Sequence, residues 1–445
     1  MAARKILCVT LEPISQQMAG PAIRAFELAR QLSSDFGVTL FSPRPSDLPR
    51  DPSWPANLQL ATGLSRSRLY AIADECEIIY LQANVLKPYP GLARRGKHLV
   101  LDLYDPYLLS LLAQYADDPL SSSASYRLMH QVLEQHMIAA DFSICASERQ
   151  RDYWLGRYCA IGRLTPEMYR FDPSFRKLID VVPFGLPSEA PRRTGPGLKG
   201  NVPGIAGGDQ VLLWGGGIWQ WFDPVTVIEA VARLARTRPN IKLFFMGWRS
   251  PNPQVPLMEM SVRARQHARQ LGVLDSRVIF HDSWVPYEQR VNYLLDADIA
   301  VSAHFDLPET RFAFRTRILD YLWAGLPVLT TGGDQLAETI EARQAGFALP
   351  YQDIDAWVGA ISRLLDDRAL NQKLREGSRK LAGDFVWSRA AEPLRRFCEN
   401  PHHLPPFARV KMPSLVERAQ AVYARGGRDM LVKRSKEVLD DLLRK

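Results

Sequence analysis

Short apolar runs alternate with helix-period stripes along most of this 445-residue chain. In residues 1–185 the runs are KILCVTL, GVTLFSP, EIIYLQA, HLVLDLYD, ADFSICAS and LIDVVPFG, and AIRAFELARQL reads as a helix. The runs do not alternate apolar with polar, the pattern of strands buried on both faces of a parallel sheet. From Pro187 to Asp209 the periodicity stops, and glycine and proline punctuate the chain instead. The alternation then restarts. QVLLWGGG, IKLFFMG, RVIFHDSW, DIAVSAH and PVLTTG read as strands, and PVTVIEAVARLARTRP, ARQHARQLGV and YEQRVNYLLDA as helices. This predicts an α/β chain of two Rossmann-like, doubly wound parallel-sheet domains facing a cleft. The expected divisions are a first domain over 1–185, a linker over 186–209, a second domain over 210–385 and a C-terminal segment over 386–445. In that segment SLVERAQAVYARGG and MLVKRSKEVLDDLLRK read as two amphipathic helices, expected to cross back over the first domain or else to touch a membrane surface.

Composition narrows the picture little. Apolar residues make up 46% and charged residues 23%, ordinary for a globular protein. No run approaches a membrane span, and ILCVTL near the start is too short for a signal peptide. Five scattered cysteines with no CxxC argue against a disulfide framework or a cysteine zinc site, and for a cytoplasmic protein. Charge is more informative. The net charge is +8, and residues 386–445 hold 13 Lys/Arg against 7 Asp/Glu. The basic tail is either a solvated surface or a contact for anionic lipid on the inner face of a membrane. No recognition motif accompanies the charge, so nucleic acid is not an expected partner.

The stretch with most chemistry is RFAFRTRILDYLWAGLPVLTT, Arg311 to Thr331. Ile318, Leu319, Leu322 and Trp323 form a helical stripe, Gly325 is a C-terminal cap, and Pro327 forbids continuation. Arg315, Thr316 and Arg317 therefore stand at a helix N-terminus, where free amides and the helix dipole favour an anion. Asp320 lies about 6 Å further along the same face, an offset close to that between a diphosphate and the ribose of one nucleotide. Arg317 and Asp320 could equally form an ordinary surface pair. Two more glycine-bearing loops follow strands: Gly215, Gly216 and Gly217 in one half, and Gly20 before a helix in the other.

With these features the second half resembles the retaining GT-B glycosyltransferases of the large family 4 group. The resemblance rests on VIFHDSWVPYEQRVNYLLDADIAVS, on the acid Asp320 five residues before Gly325 in GLPVL, on VVPFGLP and on GPAIRAFELARQL. It covers about residues 5 to 400. It implies a GT-B fold, with a helix of the C-terminal segment crossing back to the first domain, and sugar transfer from a nucleoside diphosphate sugar to an acceptor hydroxyl. It puts Asp320 where the second acid of the family's Glu-x7-Glu motif holds the ribose. The first acid would fall at Phe312, which cannot serve, and Glu309 is the nearest substitute. The Arg and Lys expected after the glycine turn are also missing, so Arg315 and Arg317 are expected to carry the diphosphate charge.

The donor site is thus expected at Gly20, Gly215, Gly216, Gly217, Trp284, Arg315, Thr316, Arg317 and Asp320. Asp102, Asp105, His304 and Glu309 are the candidate catalytic residues, although Asp105-Pro106 could be a simple turn and His304 a structural histidine. No cofactor or metal is expected. The acceptor is expected to be a saccharide or lipid-linked saccharide, in cell-surface polysaccharide or glycolipid synthesis. The departures leave two other readings open: a GT-B scaffold that has lost catalysis, and a nucleotide-sugar epimerase.

Overall fold

The computed structural model describes residues 4–116, 118–252, 255–407 and 414–443. Two parallel sheets form its frame. The first contains β1 (Lys5–Val9), β2 (Gly37–Ser42), β3 (Leu58–Thr62), β4 (Ile78–Gln82), β5 (His98–Asp102), β6 (Phe142–Cys145) and β7 (Ile179–Val181), in the order 3-2-1-4-5-6-7. The second contains β8 (Gln210–Trp214), β9 (Ile241–Phe245), β10 (Val278–Phe280), β11 (Ile299–Ser302), β12 (Val328–Thr331) and β13 (Gly346–Leu349), in the order 10-9-8-11-12-13. The central strands are apolar on both faces because helices cover both sides; every residue of β4, β9 and β11 is buried.

Strand order reverses beside β1 in the first sheet and beside β8 in the second. The loops leaving those two strands therefore diverge from their neighbours and leave a crevice. They are the loops that carry Gly20 and Gly215–Gly217.

Two strands were not expected, β3 and β13. Each closes an edge of its sheet, and each is only partly buried, so neither shows a continuous apolar run. The Gly/Pro-rich stretch 186–209 contains no helix or strand, but it is tied along the second domain. Asn292 Oδ1 accepts the backbone N–H groups of Thr194 and Gly195 at 2.7 and 3.0 Å, and Leu198 is fully buried.

The C-terminal segment begins with short helices at Trp387–Ala390 and Glu392–Glu399 that pack on the first domain. Trp387 meets Phe184 at 5.0 Å between ring centroids, and Phe397 stacks on Phe142 at 4.8 Å. Arg4 donates to the Glu399 carbonyl at 2.8 Å. The last helix is one element, Leu415–Leu443, rather than the two expected. The glycine pair that suggested a break lies inside it, with Gly427 at φ +65°.

Candidate functional site: a cleft between two helix mouths

The crevice is a cavity of about 560 Å³ lined by both domains, within the size range of small-molecule sites. Its floor on the second domain is the glycine turn after β8. Gly216 has φ +73°, a left-handed conformation that favours glycine. Gly215 packs tightly, since a Cβ there would lie 3.1 Å from the Tyr321 ring. Tyr321 also fixes the turn: its hydroxyl accepts the Gly215 N–H at 2.7 Å and donates to the Val301 carbonyl at 3.0 Å. The helix Thr316–Trp323 is thereby pinned to the turn by its fully buried tyrosine. Gly325, at φ +64°, ends that helix in the expected way.

The helix starts at the cleft without a side-chain cap. The first-domain helix Gly20–Leu32 also lacks one. The two starts face each other: a Cβ placed on Gly20 would lie 3.7 Å from Thr316 Oγ1. Two sets of orphan amides and two positive dipole ends thus converge on one space, which suits an anion.

The cations are not equivalent. Arg315 is buried and paired through two hydrogen bonds with buried Glu309, Nη2–Oε2 at 2.8 Å and Nη1–Oε1 at 3.2 Å. Glu309 thus compensates its charge, while its Nε is buried with no hydrogen-bond partner among the described residues. Arg317 has no ion pair among the described residues. Its Nη2 donates to the Gly217 carbonyl at 2.6 Å, and its guanidinium lies over Phe222 and Trp214 at 4.0 and 5.1 Å. Its Nη1 is buried with no hydrogen-bond partner among them. Burial pushes its pKa down to about 10, opposed by Tyr321 and helped by the Arg315 charge.

Asp320 lines the cleft and accepts from Arg290 Nε at 3.1 Å. Arg290 in turn lies 3.8 Å over the Tyr287 ring and donates to the Tyr287 carbonyl at 2.6 Å. Trp284 closes one side. Its Nε1 donates to the Met18 carbonyl at 3.2 Å across the domain boundary, and its ring leaves no room for a Cβ at Gly247, which would sit 2.9 Å away.

Asp105 reaches the cleft from the loop after β5, with Ser110 Oγ donating to it at 3.2 Å. Burial, then the nearby Glu309 carboxylate, pushes its pKa up to about 7, against the hydrogen bond from Ser110 and the charge of Arg315. The two candidate acids of the cleft therefore come from different domains, and the Glu309 carboxylate bears on Asp105.

Asp102 and His304 do not line the cavity. Asp102 is fully buried and binds Arg24 at 2.7 and 3.0 Å, with Tyr80 as a further donor. It neutralises the only cation on the buried face of the helix Gly20–Leu32, a structural task. His304 is buried between Thr331 and Asp334, whose Oδ2 lies 3.1 Å from Nε2. Burial, then Arg315 and Arg317, holds its pKa well below the usual histidine range. Asp102 ends β5 and His304 follows β11, the places of true site residues, but their side chains turn into the core.

Sequence reasoning missed Arg290, Tyr321, Glu12 and Arg249. Arg290 stood inside the resemblance-bearing stretch VPYEQRVNYLLDA, where its charge was a usable sign. Glu12 lines the cleft from the first domain and accepts from Asn252 Nδ2 at 2.9 Å.

Residues 209–367 match the family model described as Glycosyl transferases group 1. A curated relative, the D-inositol 3-phosphate glycosyltransferase of Jonesia denitrificans, is 25% identical over 191 residues, 42% of either chain. The match thus spans less than half of that relative's length. Solved structures match nearly the whole chain. Sucrose-phosphate synthase from Thermosynechococcus elongatus has a TM-score of 0.61 at 16% identity, covering 89% of this chain and 98% of that one. Anabaena HepE in complex with UDP and glucose has 0.62 at 14%, with the same coverage. WaaG, a glycosyltransferase involved in lipopolysaccharide biosynthesis, has 0.58 at 16%, covering 89% and 100%. The match to the glycosyl transferases group 1 family thus lies in the second domain, residues 209–367, and the whole chain shares the two-sheet GT-B frame of these structures.

Proposed function

We propose that this chain transfers a sugar from a nucleoside diphosphate sugar to an acceptor hydroxyl. The observation that carries the proposal is the convergence of two uncapped helix starts, at Gly20 and Thr316, with the half-satisfied guanidinium of Arg317. In transfer, the bond from the anomeric carbon to the diphosphate oxygen breaks, and negative charge grows on the leaving diphosphate. Preorganised donors stabilise such charge strongly where water is excluded. Arg317, the amides at both helix mouths and the glycine turn are the donors here. Asp320, oriented by Arg290, is the acceptor for the ribose hydroxyls. Asp105, held near neutral pKa, is the group we assign to receive the acceptor's proton. Glu309 supports the sugar side through its pair with Arg315. Retention of anomeric configuration follows the family.

UDP is the nucleotide of first choice, because the HepE structure holds it. For the acceptor we favour a saccharide or lipid-linked saccharide of cell-surface polysaccharide or glycolipid synthesis, consistent with the likeness to WaaG. The exposed side chains of Val416, Tyr423 and Met430 on the last helix, within a C-terminal segment that is basic as a whole, are suited to rest on an anionic membrane. No helix of the described residues is long and apolar enough to cross one. A catalytically lost scaffold is the second reading, favoured by Phe312 in place of an acid and by the closed Arg315–Glu309 pair.

UDP release from UDP-glucose, with and without a lipid-linked saccharide, separates the readings. Acceptor-dependent release supports transfer. Conversion of the sugar without acceptor points to an epimerase, and no turnover with any nucleotide sugar to a scaffold.

A further inference from the structure

On the side of the first sheet opposite the cleft, three residues far apart in sequence meet. His98 opens β5, Asp141 directly precedes β6, and His403 follows the helix Glu392–Glu399. One ligand atom from each lies within 4.8 Å of the others. The imidazoles of His98 and His403 stack at 4.0 Å between centroids. His403 Nδ1 lies 3.0 Å from Asp141 Oδ1, across 262 positions of sequence.

We propose that His98, Asp141 and His403 form a binding site for a divalent zinc-type ion that fastens the C-terminal segment to the first domain. Two imidazoles and one carboxylate are a zinc-compatible donor set, with water in the fourth position. Bonds of about 2.0–2.2 Å place tetrahedral ligands roughly 3.3 Å apart, so His403 and Asp141, at 3.0 Å, already stand at ligand spacing, and His98 must close by up to about 1.5 Å. His403 is exposed and His98 only half-buried, so their rings are free to turn. Asp141 is already oriented, because its other oxygen accepts the Leu99 N–H at 3.0 Å. His98 Nδ1 is buried with no hydrogen bond of ordinary geometry among the described residues, and a backbone group of His402 is a weak partner to the ring. A metal would give His98 a stronger one. Arg163 lies near enough to Asp141 to offset part of its charge, which argues for a moderate rather than a tight affinity.

The site would act at a mechanical joint. The helices Trp387–Ala390 and Glu392–Glu399 bring the end of the chain back to the first domain, and His403 is positioned to lock that return. Binding only to the folded chain also stabilises it.

The full chain, stripped with chelator and dialysed, is titrated with zinc chloride by calorimetry beside His403→Ala and His402→Ala. We expect one equivalent bound by the wild type, binding weakened roughly tenfold or more in His403→Ala, and little change in His402→Ala. Zinc should raise the Tm of the wild type and of His402→Ala, but not of His403→Ala. No binding by the wild type overturns the proposal. So does an affinity that His403→Ala leaves intact, or that both variants reduce equally.

Discussion

Gly20 and Thr316 meet across the domain boundary, with a Cβ on Gly20 falling 3.7 Å from Thr316 Oγ1. The contact matters because each residue starts a helix, so the gap between them is bounded by orphan amides on both sides. A small side chain fits there, but a large one occupies the space assigned to the diphosphate. Gly20→Leu is therefore expected to weaken nucleotide binding roughly tenfold or more with little loss of fold stability. Calorimetry and thermal melting on the same preparation check the two halves of that statement.

Arg317 illustrates a conflict between stability and binding. A half-buried cation without an ion pair opposes folding, here relieved by the Gly217 carbonyl and the faces of Phe222 and Trp214. Arg317→Met should stabilise the free chain by about 1 kcal/mol or more. It should also remove about 1.5–3 kcal/mol of nucleotide binding, the worth of a hydrogen bond to a charged group. Denaturant unfolding and nucleotide titration measure the two effects. A variant that loses stability would mean that the cation is already well satisfied without a ligand.

Asp105 gives a pH dependence of defined sign. Its folded-state pKa is pushed up to about 7 from an ordinary 3.8. The folded chain thus holds a proton that the unfolded chain releases, and unfolding stability falls as pH rises between those values. The contribution is full below about pH 4 and is lost as pH passes about 7. Asp105→Asn removes this term, so its Tm should gain on the wild type between pH 4 and 7 and stay level above. A gap that stays constant with pH would show that Asp105 ionises normally.

Asp102 should behave as a structural residue. Asp102→Asn leaves Arg24 buried without its counter-charge, and breaking such a pair costs about 3–5 kcal/mol. The expected outcome is a large loss of stability in denaturant melts. Nucleotide affinity should be unchanged in whatever fraction remains folded.

These contrasts show which levels of structure the sequence exposes. The central strands were legible because burial on both faces leaves unbroken apolar runs such as IIYLQ and IKLFF. The edge strands β3 and β13 were not, because partial burial relaxes that demand. The helix Thr316–Trp323 was legible from its stripe and its glycine stop. Its most informative residue, Tyr321, was not, because only the fold brings its hydroxyl to Gly215. Asp102 and Asp105 are three positions apart on one strand end, and sequence alone gives them equal standing. The pleat sends Asp102 to Arg24 in the core, while the following loop carries Asp105 to the cleft. His98, Asp141 and His403 had no sequence signature at all, since the spacing of ligands on separate elements follows no motif.

The most direct measurement is calorimetric titration of the wild type with UDP, GDP, ADP, TDP and CMP, repeated with Arg317→Met and Asp320→Ala. We assign Arg317 to the diphosphate and Asp320 to the adjoining ribose, so the two substitutions probe different parts of one nucleotide. Micromolar binding of one nucleoside diphosphate, weakened by both substitutions, is the expected result. Absence of binding by every nucleotide, or binding that neither substitution affects, would contradict a donor site between the two helix mouths.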